Sequence, residues 1–195
     1  MVMTSVKSNF QRSAALAVGI FLLCSLPAQA ACPALLQQTL PRLQDEKPVN
    51  LCEFAGKVVV VVNTASQCGF TPQYKSLEAL NDRYRARGLV VLGFPANNFG
   101  SQEPGSNAEI AEFCENQFAV HFPMFAKSSV LKTAKAAANP LFAALSARTG
   151  QAPKWNFHKY IVDRRGDIVI SHDSEVDPLD PIFVKDIERL LAAKQ

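Results

Sequence analysis

Hydrophobic residues along this chain alternate between short continuous runs and stretches with helical spacing. Two runs, Val58–Asn63 and Leu89–Phe94, have the pattern of central strands that are buried on both faces of a sheet. The segment between them has the spacing of a helix that begins at Thr71-Pro72, as cap and first-turn proline, and ends at Gly88. Its apolar positions are Leu77, Leu80 and Tyr84. The order strand, helix, strand predicts a βαβ unit with a right-handed crossover.

Two further helices are expected in the middle of the chain. Ser106 followed three residues later by Glu109 forms a capping box, so a helix should begin at Ser106. Its apolar stripe consists of Ile110, Phe113, Cys114 and Phe118. A third helix is predicted to open at Asn139-Pro140 and to end near Gly150.

The last part of the chain predicts a hairpin and a helix. Tyr160–Val162 and Ile168–Ile170 are strand-like runs joined through Arg165-Gly166, and Asp180-Pro181 opens the final helix. The apolar residues of that helix that should face the core are Phe183, Ile187, Leu190 and Leu191. The complete order predicts an α/β domain in which helices cover both faces of a central mixed β-sheet. A thioredoxin-like fold is the simplest arrangement of this kind, although a fold alone says little about chemistry.

The N-terminus has the parts of a signal peptide. Basic residues precede an apolar run of about 14 residues, and Ala28-Gln29-Ala30 is a small-x-small cleavage site. We therefore expect residues 1–30 to be removed after Ala30 and the protein to be exported to the periplasm. A membrane anchor is the alternative, but a spanning helix needs about 20 residues. A lipoprotein attached at Cys32 is a further alternative, although Gln29 stands where such proteins usually carry an aliphatic residue.

Composition and charge fit one compact domain. Of the 195 residues, 48% are hydrophobic and 19% are charged, which is typical of globular proteins rather than of disordered or repetitive ones. Cleavage would remove two basic and no acidic side chains and lower the formal net charge from +3 to +1. Nothing in that balance predicts a nucleic-acid partner. We expect a monomer with no stable membrane anchor after cleavage.

Cys68 is the most informative single position. It lies in the predicted turn between a buried strand and the N-terminus of a helix, where free N–H groups and a partial positive charge stabilise a thiolate. A thiolate is the nucleophile that a peroxide requires. The alternative is that Cys68 is a small buried apolar residue, as free cysteines often are.

Three stretches of the chain resemble one known family. NTASQCGFTPQY, which contains Cys68, resembles the active-site segment of glutathione peroxidases, in which cysteine replaces the selenocysteine of some members. LGFPANNFGSQEPG resembles the second signature of this family and KWNFHKYIVDRRG the third. They occur in family order, with FPMFAKS between the second and third, over most of residues 50–175. The resemblance implies a thiol peroxidase.

The resemblance also implies a catalytic tetrad of Cys68, Gln102, Trp155 and Asn156. The two amides and the indole offer neutral N–H donors that could hold a sulfur anion and stabilise the leaving oxygen. Taken singly, Trp155 could be core packing, Asn156 a turn residue and Gln102 a polar loop residue.

A second cysteine could complete the reaction. Peroxide would convert Cys68 to a sulfenic acid, and Cys114 is the candidate for resolving it. The helix opening at Ser106 occupies the place where many cysteine-type members of the family carry a resolving cysteine. FPANNFG also departs from the frequent FPCNQFG at Ala96 and Asn98, which removes one competing cysteine. Core packing is the alternative role for Cys114, and a buried Cys114 would require its helix to loosen.

Cleavage would remove Cys24, and the other two cysteines, Cys32 and Cys52, lie in an N-terminal extension, residues 31–56, that the family core does not require. A disulfide between Cys32 and Cys52 would close a loop of about 20 residues and contribute roughly 3 kcal/mol. Free thiols are the alternative. The family domain is then expected over residues 57–195.

No prosthetic group or metal is expected, because the three histidines are scattered along the chain. The co-substrates would be a peroxide, either hydrogen peroxide or a lipid hydroperoxide, and a thiol reductant, either glutathione or a thioredoxin-like protein. Lys127, Lys132, Lys135 and Lys154 could form a basic rim for an anionic reductant or for lipid headgroups, but an ordinary solvated surface is favoured. Two other functions stay open: a redox sensor, and a thiol-disulfide oxidoreductase, whose usual C-x-x-C is absent because Thr71 holds its fourth position.

Overall fold

The computed structural model describes residues 1–3 and 31–193 of the chain. Apart from its first three residues, the predicted signal peptide therefore lies outside the described residues. Within the described part, no helix is both long enough and apolar enough to cross a membrane.

The described residues form six strands, four α-helices and three short 3₁₀ turns. The strands are β1 (Thr39–Pro41), β2 (Pro48–Asn50), β3 (Val58–Thr64), β4 (Leu89–Pro95), β5 (Lys159–Val162) and β6 (Val169–His172). The helices are α1 (Gln73–Tyr84), α2 (Asn107–Phe118), α3 (Pro140–Thr149) and α4 (Pro181–Ala192). The 3₁₀ turns are Ala34–Leu36, Leu51–Phe54 and Arg85–Arg87.

The central sheet has four strands in the order β4-β3-β5-β6. Strands β3 and β4 run parallel, from Val58 opposite Leu89 to Thr64 opposite Pro95. The pairs β3-β5 and β5-β6 are antiparallel. The predicted βαβ unit and final hairpin are therefore confirmed, and together they make the sheet mixed.

Strand β3 separates two hydrophobic cores. Val58, Val60 and Val62 point into the core that contains residues of α1, α2 and α4, whereas Val59 and Val61 point into the core that contains residues of α3. All seven residues of β3 are buried. Because successive side chains of a strand face opposite sides, a strand covered on both faces reads as one continuous apolar run. The predicted α/β architecture with helices on both faces is confirmed.

Most of the predicted helix boundaries agree with the structure. Ser106 and Glu109 form the predicted capping box at the start of α2, and Asn139 caps α3 by accepting the N–H of Leu141. The predicted cap of α1 at Thr71 is wrong. That helix begins at Gln73 without a side-chain cap, because the Thr71 hydroxyl bonds within the preceding loop.

The N-terminal segment forms a small hairpin that the sequence pattern did not reveal. Strands β1 and β2 pair antiparallel, and each has only three residues. Pro41 and Pro48 occupy their ends, where proline is tolerated but obscures the signal of a strand. A disulfide joins Cys32 to Cys52, with the two Cα atoms 5.2 Å apart. The extension is thereby linked covalently to the turn that precedes β3.

A non-helical segment covers the outer edge of β4. Gly93 donates its N–H to the carbonyl of Pro123 and accepts from Phe125, and it forms a parallel bridge with Met124. A β-carbon at position 93 would stand only 2.2 Å from the sulfur of Met124. The absence of a side chain at Gly93 is what allows this close approach.

Candidate active site

The loop that carries Cys68 connects β3 to α1 and is held by the side chain of Thr71. The Thr71 hydroxyl accepts the N–H of Cys68 at 3.0 Å and donates to the carbonyl of Ala65 at 2.9 Å. The thiol sulfur of Cys68 in turn accepts the N–H of Phe70 at 3.4 Å. The backbone of the loop therefore directs one N–H donor at the sulfur.

Cys68 borders the core without being sealed from solvent. Its exposed fraction is 9%, and the N-terminus of α1 follows five residues later in the chain. A helix N-terminus carries a partial positive charge that stabilises a nearby anion. Cys68 is thus a nearly buried residue in the loop before a helix N-terminus.

Gln102 and Asn156 meet although they are 54 residues apart. The side-chain N–H of Asn156 donates to Oε1 of Gln102 at 2.9 Å. The carbonyl of Gln102 also accepts the backbone N–H of Gln67 at 3.0 Å, which ties the Gln102 loop to the Cys68 loop. Because Gln102 accepts through its oxygen, its own NH₂ group remains available as a donor.

The turn that presents Trp155 and Asn156 is fixed to the end of β3. Asn63 accepts the N–H of Phe157 at 2.6 Å and donates its side-chain N–H to the carbonyl of Trp155 at 3.0 Å. Phe157 has a φ of 64°, which is costly for a bulky residue. The indole of Trp155 packs on Phe99, with ring centroids 5.9 Å apart, and is 39% exposed.

The structure brings parts of the predicted tetrad together but leaves one contact unmade. In the described part of the chain, Phe70 is the residue that donates a hydrogen bond to the Cys68 sulfur. The side chains of Gln102, Trp155 and Asn156 make none to it. Their role in binding the thiolate stays a prediction.

Cys114 lies inside the molecule as a free thiol. It is 2% exposed on the inner face of α2. Burial raises the pKa of the Cys114 thiol to about 11; the nearby Tyr74 hydroxyl lowers it and the charge of Glu103 raises it further. At neutral pH the group is therefore a thiol, which is a poor nucleophile.

Glu103 is the residue that sequence reasoning missed. Its side chain is fully buried, and neither carboxylate oxygen has a hydrogen-bond partner among the described residues. Burial raises the pKa of Glu103, whereas Ser66 and the charge of Lys127 lower it. Its place inside the second family signature, directly after Gln102, was the available signal.

Lys127 has a different role from the one expected in a basic rim. Its ammonium group donates to the backbone carbonyls of Glu103, Pro104 and Gly105. It therefore fastens the loop that follows Gln102 and does not point freely at solvent. Across the described residues, no group of three or more histidine, cysteine, aspartate or glutamate side chains is arranged to hold a metal ion.

Comparison with known proteins gives a consistent result. The model of the family described as glutathione peroxidase matches residues 36–146. The chain is 48% identical over 157 residues to the hydroperoxy fatty acid reductase gpx1 of Synechocystis, covering 75% of this chain and 90% of that protein. It is 45% identical over 142 residues to the glutathione peroxidase-like peroxiredoxin gpx1 of Schizosaccharomyces pombe, covering 71% and 88%.

A solved structure supports the fold. A thioredoxin-family thiol:disulfide interchange protein from Chlorobium tepidum superposes with a TM-score of 0.59 at 15% identity, over 85% of this chain and all of that one. At this identity the likeness concerns the fold alone, which is thioredoxin-like as predicted. The matched family region contains the Cys68 loop, Gln102 and Cys114, while Trp155 and Asn156 follow it in the chain. The chain belongs to the glutathione peroxidase family and is a peroxidase.

Proposed function

We propose that this peroxidase works through a sulfenic acid on Cys68. The Cys68 thiolate attacks one oxygen of the peroxide, the O–O bond breaks, and the second oxygen leaves as water or an alcohol after taking up a proton. The observation that carries this proposal is the Cys68 loop itself: it lies just before α1, keeps 9% of the cysteine exposed and gives the sulfur a backbone N–H donor.

Gln102, Trp155 and Asn156 are proposed to supply the remaining donors. The contact between Gln102 and Asn156 and the bond from Gln67 to Gln102 keep both amides next to the Cys68 loop. A side-chain rotation would bring the free NH₂ group of Gln102 toward the sulfur. Neutral donors suit this task, because they stabilise the negative charge that develops on sulfur and on the leaving oxygen.

Cys114 is proposed to resolve the sulfenic acid. Its sulfur would displace water from Cys68 and leave a Cys68–Cys114 disulfide. Because Cys114 is buried on α2, this step requires local opening of that helix. The name of the fission-yeast relative, a peroxiredoxin, supports a mechanism that passes through a disulfide.

The co-substrates follow from the same scheme. A protein disulfide is best reduced by a dithiol, so a thioredoxin-like protein is favoured over glutathione. The name of the Synechocystis relative, a hydroperoxy fatty acid reductase, supports lipid hydroperoxides as substrates beside hydrogen peroxide. A redox sensor that oxidises a partner protein is the alternative, and the exposed indole of Trp155 offers a surface for such a partner.

Turnover with different reductants tests the proposal. Peroxide consumption should be sustained with thioredoxin and slower with glutathione. Cys68→Ser should abolish it, and Cys114→Ser should abolish only the thioredoxin-dependent activity. Intact mass and peptide mapping after one equivalent of peroxide should find the Cys68–Cys114 disulfide. A wild-type product that is solely a Cys68 sulfenic acid or glutathione adduct would refute the role of Cys114, and a single turnover with every reductant would favour the sensor.

Export is also part of the proposal. The Cys32–Cys52 disulfide fits an oxidising compartment such as the periplasm. We expect the mature protein to begin after Ala30 and to be monomeric. N-terminal sequencing of protein from a periplasmic fraction identifies the first residue of the mature chain. Light scattering measures its oligomeric state. A full-length chain retained in the cytoplasm would contradict export.

A further inference from the structure

Five buried polar atoms without a hydrogen-bond partner belong to residues around the Cys68 loop and α2. They are the hydroxyl oxygens of Thr64, Ser66 and Tyr74 and the two carboxylate oxygens of Glu103. Electrostatic interactions connect Glu103 to Ser66, Tyr74 and Cys114, so these groups face one another. Buried polar groups are normally satisfied, and a cluster of exceptions calls for a functional explanation.

Glu103 lies beside a cavity at the junction of the two reacting elements. The cavity has a volume of about 420 Å³ and is lined by residues of the Cys68 loop, of the Glu103 loop and of α2. They include Ser66, Gln67, Glu103, Glu109, Ile110 and Phe113. The cavity therefore lies where the loop that carries Cys68 meets the helix that carries Cys114.

The Glu103 loop is attached to the Cys68 loop on one side and runs into the start of α2 on the other. The bond from Gln67 to Gln102 joins the two loops, and the ammonium group of Lys127 binds three successive carbonyls from Glu103 to Gly105, while the backbone N–H of Lys127 is accepted by Asn107 of α2. Because of the bond from Gln67, we expect the Glu103 carboxyl to stay beside the Cys68 loop when the rest of α2 opens. Cys114 would then approach Cys68 past this carboxyl.

We propose that Glu103 accepts the proton of Cys114 as Cys114 attacks the oxidised Cys68. This inference rests on the proposed resolution by Cys114. The Cys114 thiol gives its proton to the Glu103 carboxylate, and its sulfur forms a bond to the Cys68 sulfur. The S–O bond of the sulfenic acid breaks with its electron pair moving to oxygen. The departing hydroxide takes the proton from Glu103 and leaves as water, so Glu103 is regenerated and no further oxidant is needed.

The charges around Glu103 suit this task. An efficient base has a pKa near the operating pH, and burial raises the pKa of Glu103 in that direction. The groups that face it are Ser66, Tyr74, Cys114 and Lys127, of which only Lys127 is cationic. The Cys114 thiol, with a pKa of about 11, ionises rarely without help. Glu109 borders the same cavity, but its carboxylate is bound by Ser106 in the capping box.

Single-turnover kinetics test the inference. Reduced protein is mixed with one equivalent of hydrogen peroxide and quenched with acid at intervals, and peptide mass spectrometry counts Cys68 sulfenic acid and Cys68–Cys114 disulfide separately. The variants are Glu103→Gln, which removes the base, and Glu103→Asp, which keeps a carboxyl. Glu109→Gln is the matched control, because glutamine preserves a capping box.

We expect Glu103→Gln to slow disulfide formation about 10²-fold, with a much smaller effect on sulfenic acid formation. In Glu103→Gln the rate of disulfide formation should rise about tenfold per pH unit between about pH 6 and pH 9, because hydroxide must then remove the proton of the Cys114 thiol. The wild-type rate should vary less over this range. Glu103→Asp should be intermediate and keep the wild-type pH profile, and Glu109→Gln should match the wild type.

Several outcomes would overturn the inference. They are a wild-type rate and pH profile in Glu103→Gln, equal slowing in Glu103→Gln and Glu109→Gln, or a steep pH profile in Glu103→Asp. If Glu103→Gln also loses sulfenic acid formation through misfolding, the pH profile of Glu103→Asp decides. If the wild type forms sulfenic acid but no Cys68–Cys114 disulfide, resolution by Cys114 is refuted and this inference with it. The first three outcomes, by contrast, would refute only the role of Glu103.

Discussion

Trp155 combines an exposed ring with the indole N–H that we propose as a donor in the reaction. Its ring packs on Phe99, and its backbone is fixed through Asn63, so the indole is supported from two sides while it stays accessible. A residue chosen only for packing would be expected to bury more of its ring. The chemical role of Trp155 can therefore be separated from its contribution to stability.

Trp155→Phe keeps an aromatic ring against Phe99 and removes the indole N–H. We expect the rate constant of Cys68 with peroxide to fall about 10²-fold, the usual effect of losing one donor to a developing anion. The free energy of unfolding should change by no more than about 0.5 kcal/mol, because the ring is 39% exposed. Stopped-flow kinetics and urea unfolding measure the two quantities. A wild-type rate constant would remove Trp155 from the site.

His158 makes the stability of the protein depend on pH. Its ring is buried between Ser171, which bonds to Nε2 at 2.8 Å, and Tyr160, and burial lowers the pKa of His158 from 6.5 to about 4. Between these two pH values the unfolded chain binds a proton that the folded chain excludes. Stability contributed by neutral His158 is therefore present above pH 6.5 and is lost as the pH falls toward 4.

The wild type should lose on the order of 3 kcal/mol of unfolding free energy through this residue between pH 7 and pH 4. His158→Gln removes the titrating group while it retains a side chain that can bond Ser171. Its unfolding free energy should therefore fall less over that range. The pKa of His172 is also lowered by burial, so some slope should remain in the variant. Identical slopes in urea unfolding from pH 4 to pH 8 would contradict this assignment.

The residues of the site differ in how far the sequence could reveal them. Cys68 was recognisable because a buried strand, a turn and a helix start surround it, and Gln102, Trp155 and Asn156 because of family signatures. The hydrogen bond between the Gln67 and Gln102 loops joins two backbone groups, so no residue type in the sequence could predict it. Thr71 resembled a helix cap because a threonine before a helix often caps it. The sequence does not show which group its hydroxyl bonds, and in the structure this hydroxyl donates to the carbonyl of Ala65.

Helix α2 combines a capped start with the local opening that the proposed resolution by Cys114 requires. Ser106 and Glu109 exchange hydrogen bonds in a capping box, and Ile110 and Cys114 anchor the helix in the core. Phe113 and Phe118 are only partly buried. The helix is therefore fixed chiefly at its first turn and along a narrow stripe, and its opening should be sensitive to the cap.

Ser106→Ala should accelerate disulfide formation between Cys68 and Cys114. Loss of the cap destabilises a helix by about 1 kcal/mol, which corresponds to about a fivefold increase in the open population. If opening limits resolution, the rate after one equivalent of peroxide should rise by that factor. Ser146→Ala, which changes a serine of α3, is the control and should leave the rate unchanged. A slower rate in Ser106→Ala would mean that an ordered α2 is required.

Elements with long, regular patterns were predictable, and short irregular ones were not. Strand β3 and helix α4 each bury many side chains, and this burial appears in the sequence as a continuous apolar run and as an apolar stripe. The hairpin β1-β2 has three-residue strands, and its pairing depends on contacts with distant parts of the chain, such as the bridge from Arg42 to Phe125. The segment over β4 forms its bridge to the strand at Gly93 and stacks Phe125 on Phe94, which is too short a pairing to give a sequence pattern.

A disulfide ties the N-terminal extension of the described structure to the turn before β3. The Cys32–Cys52 disulfide spans 20 residues and encloses the hairpin β1-β2. Leu36 and Leu51 lie inside this loop and are buried in the core shared with α3. The loop therefore contributes to the fold and is not a loose appendage, even though Cys32 precedes the region matched by the family model.

Replacing both Cys32 and Cys52 by serine should lower the unfolding free energy by roughly 3 kcal/mol, because the unfolded chain regains the freedom of the closed loop. The peroxide reaction of Cys68 should keep its rate, since the disulfide lies outside the described site. Urea unfolding and stopped-flow kinetics provide the measurements. Wild-type protein unfolded in the presence of a reductant should show the same loss; equal stability with and without the disulfide would refute it.

The occupied edge of β4 has a consequence for behaviour at high concentration. An exposed strand edge is a template on which a second chain can add, and this is a common start of aggregation. Gly93 lets the Met124 segment lie against that edge, whereas β6 forms the opposite edge of the sheet. At position 93 an added β-carbon would meet the Met124 sulfur at 2.2 Å and a Phe122 ring carbon at 3.0 Å, so these side chains would have to shift. We therefore expect a larger residue at this position to weaken the cover on the β4 edge and to make the peroxidase more prone to associate at high concentration.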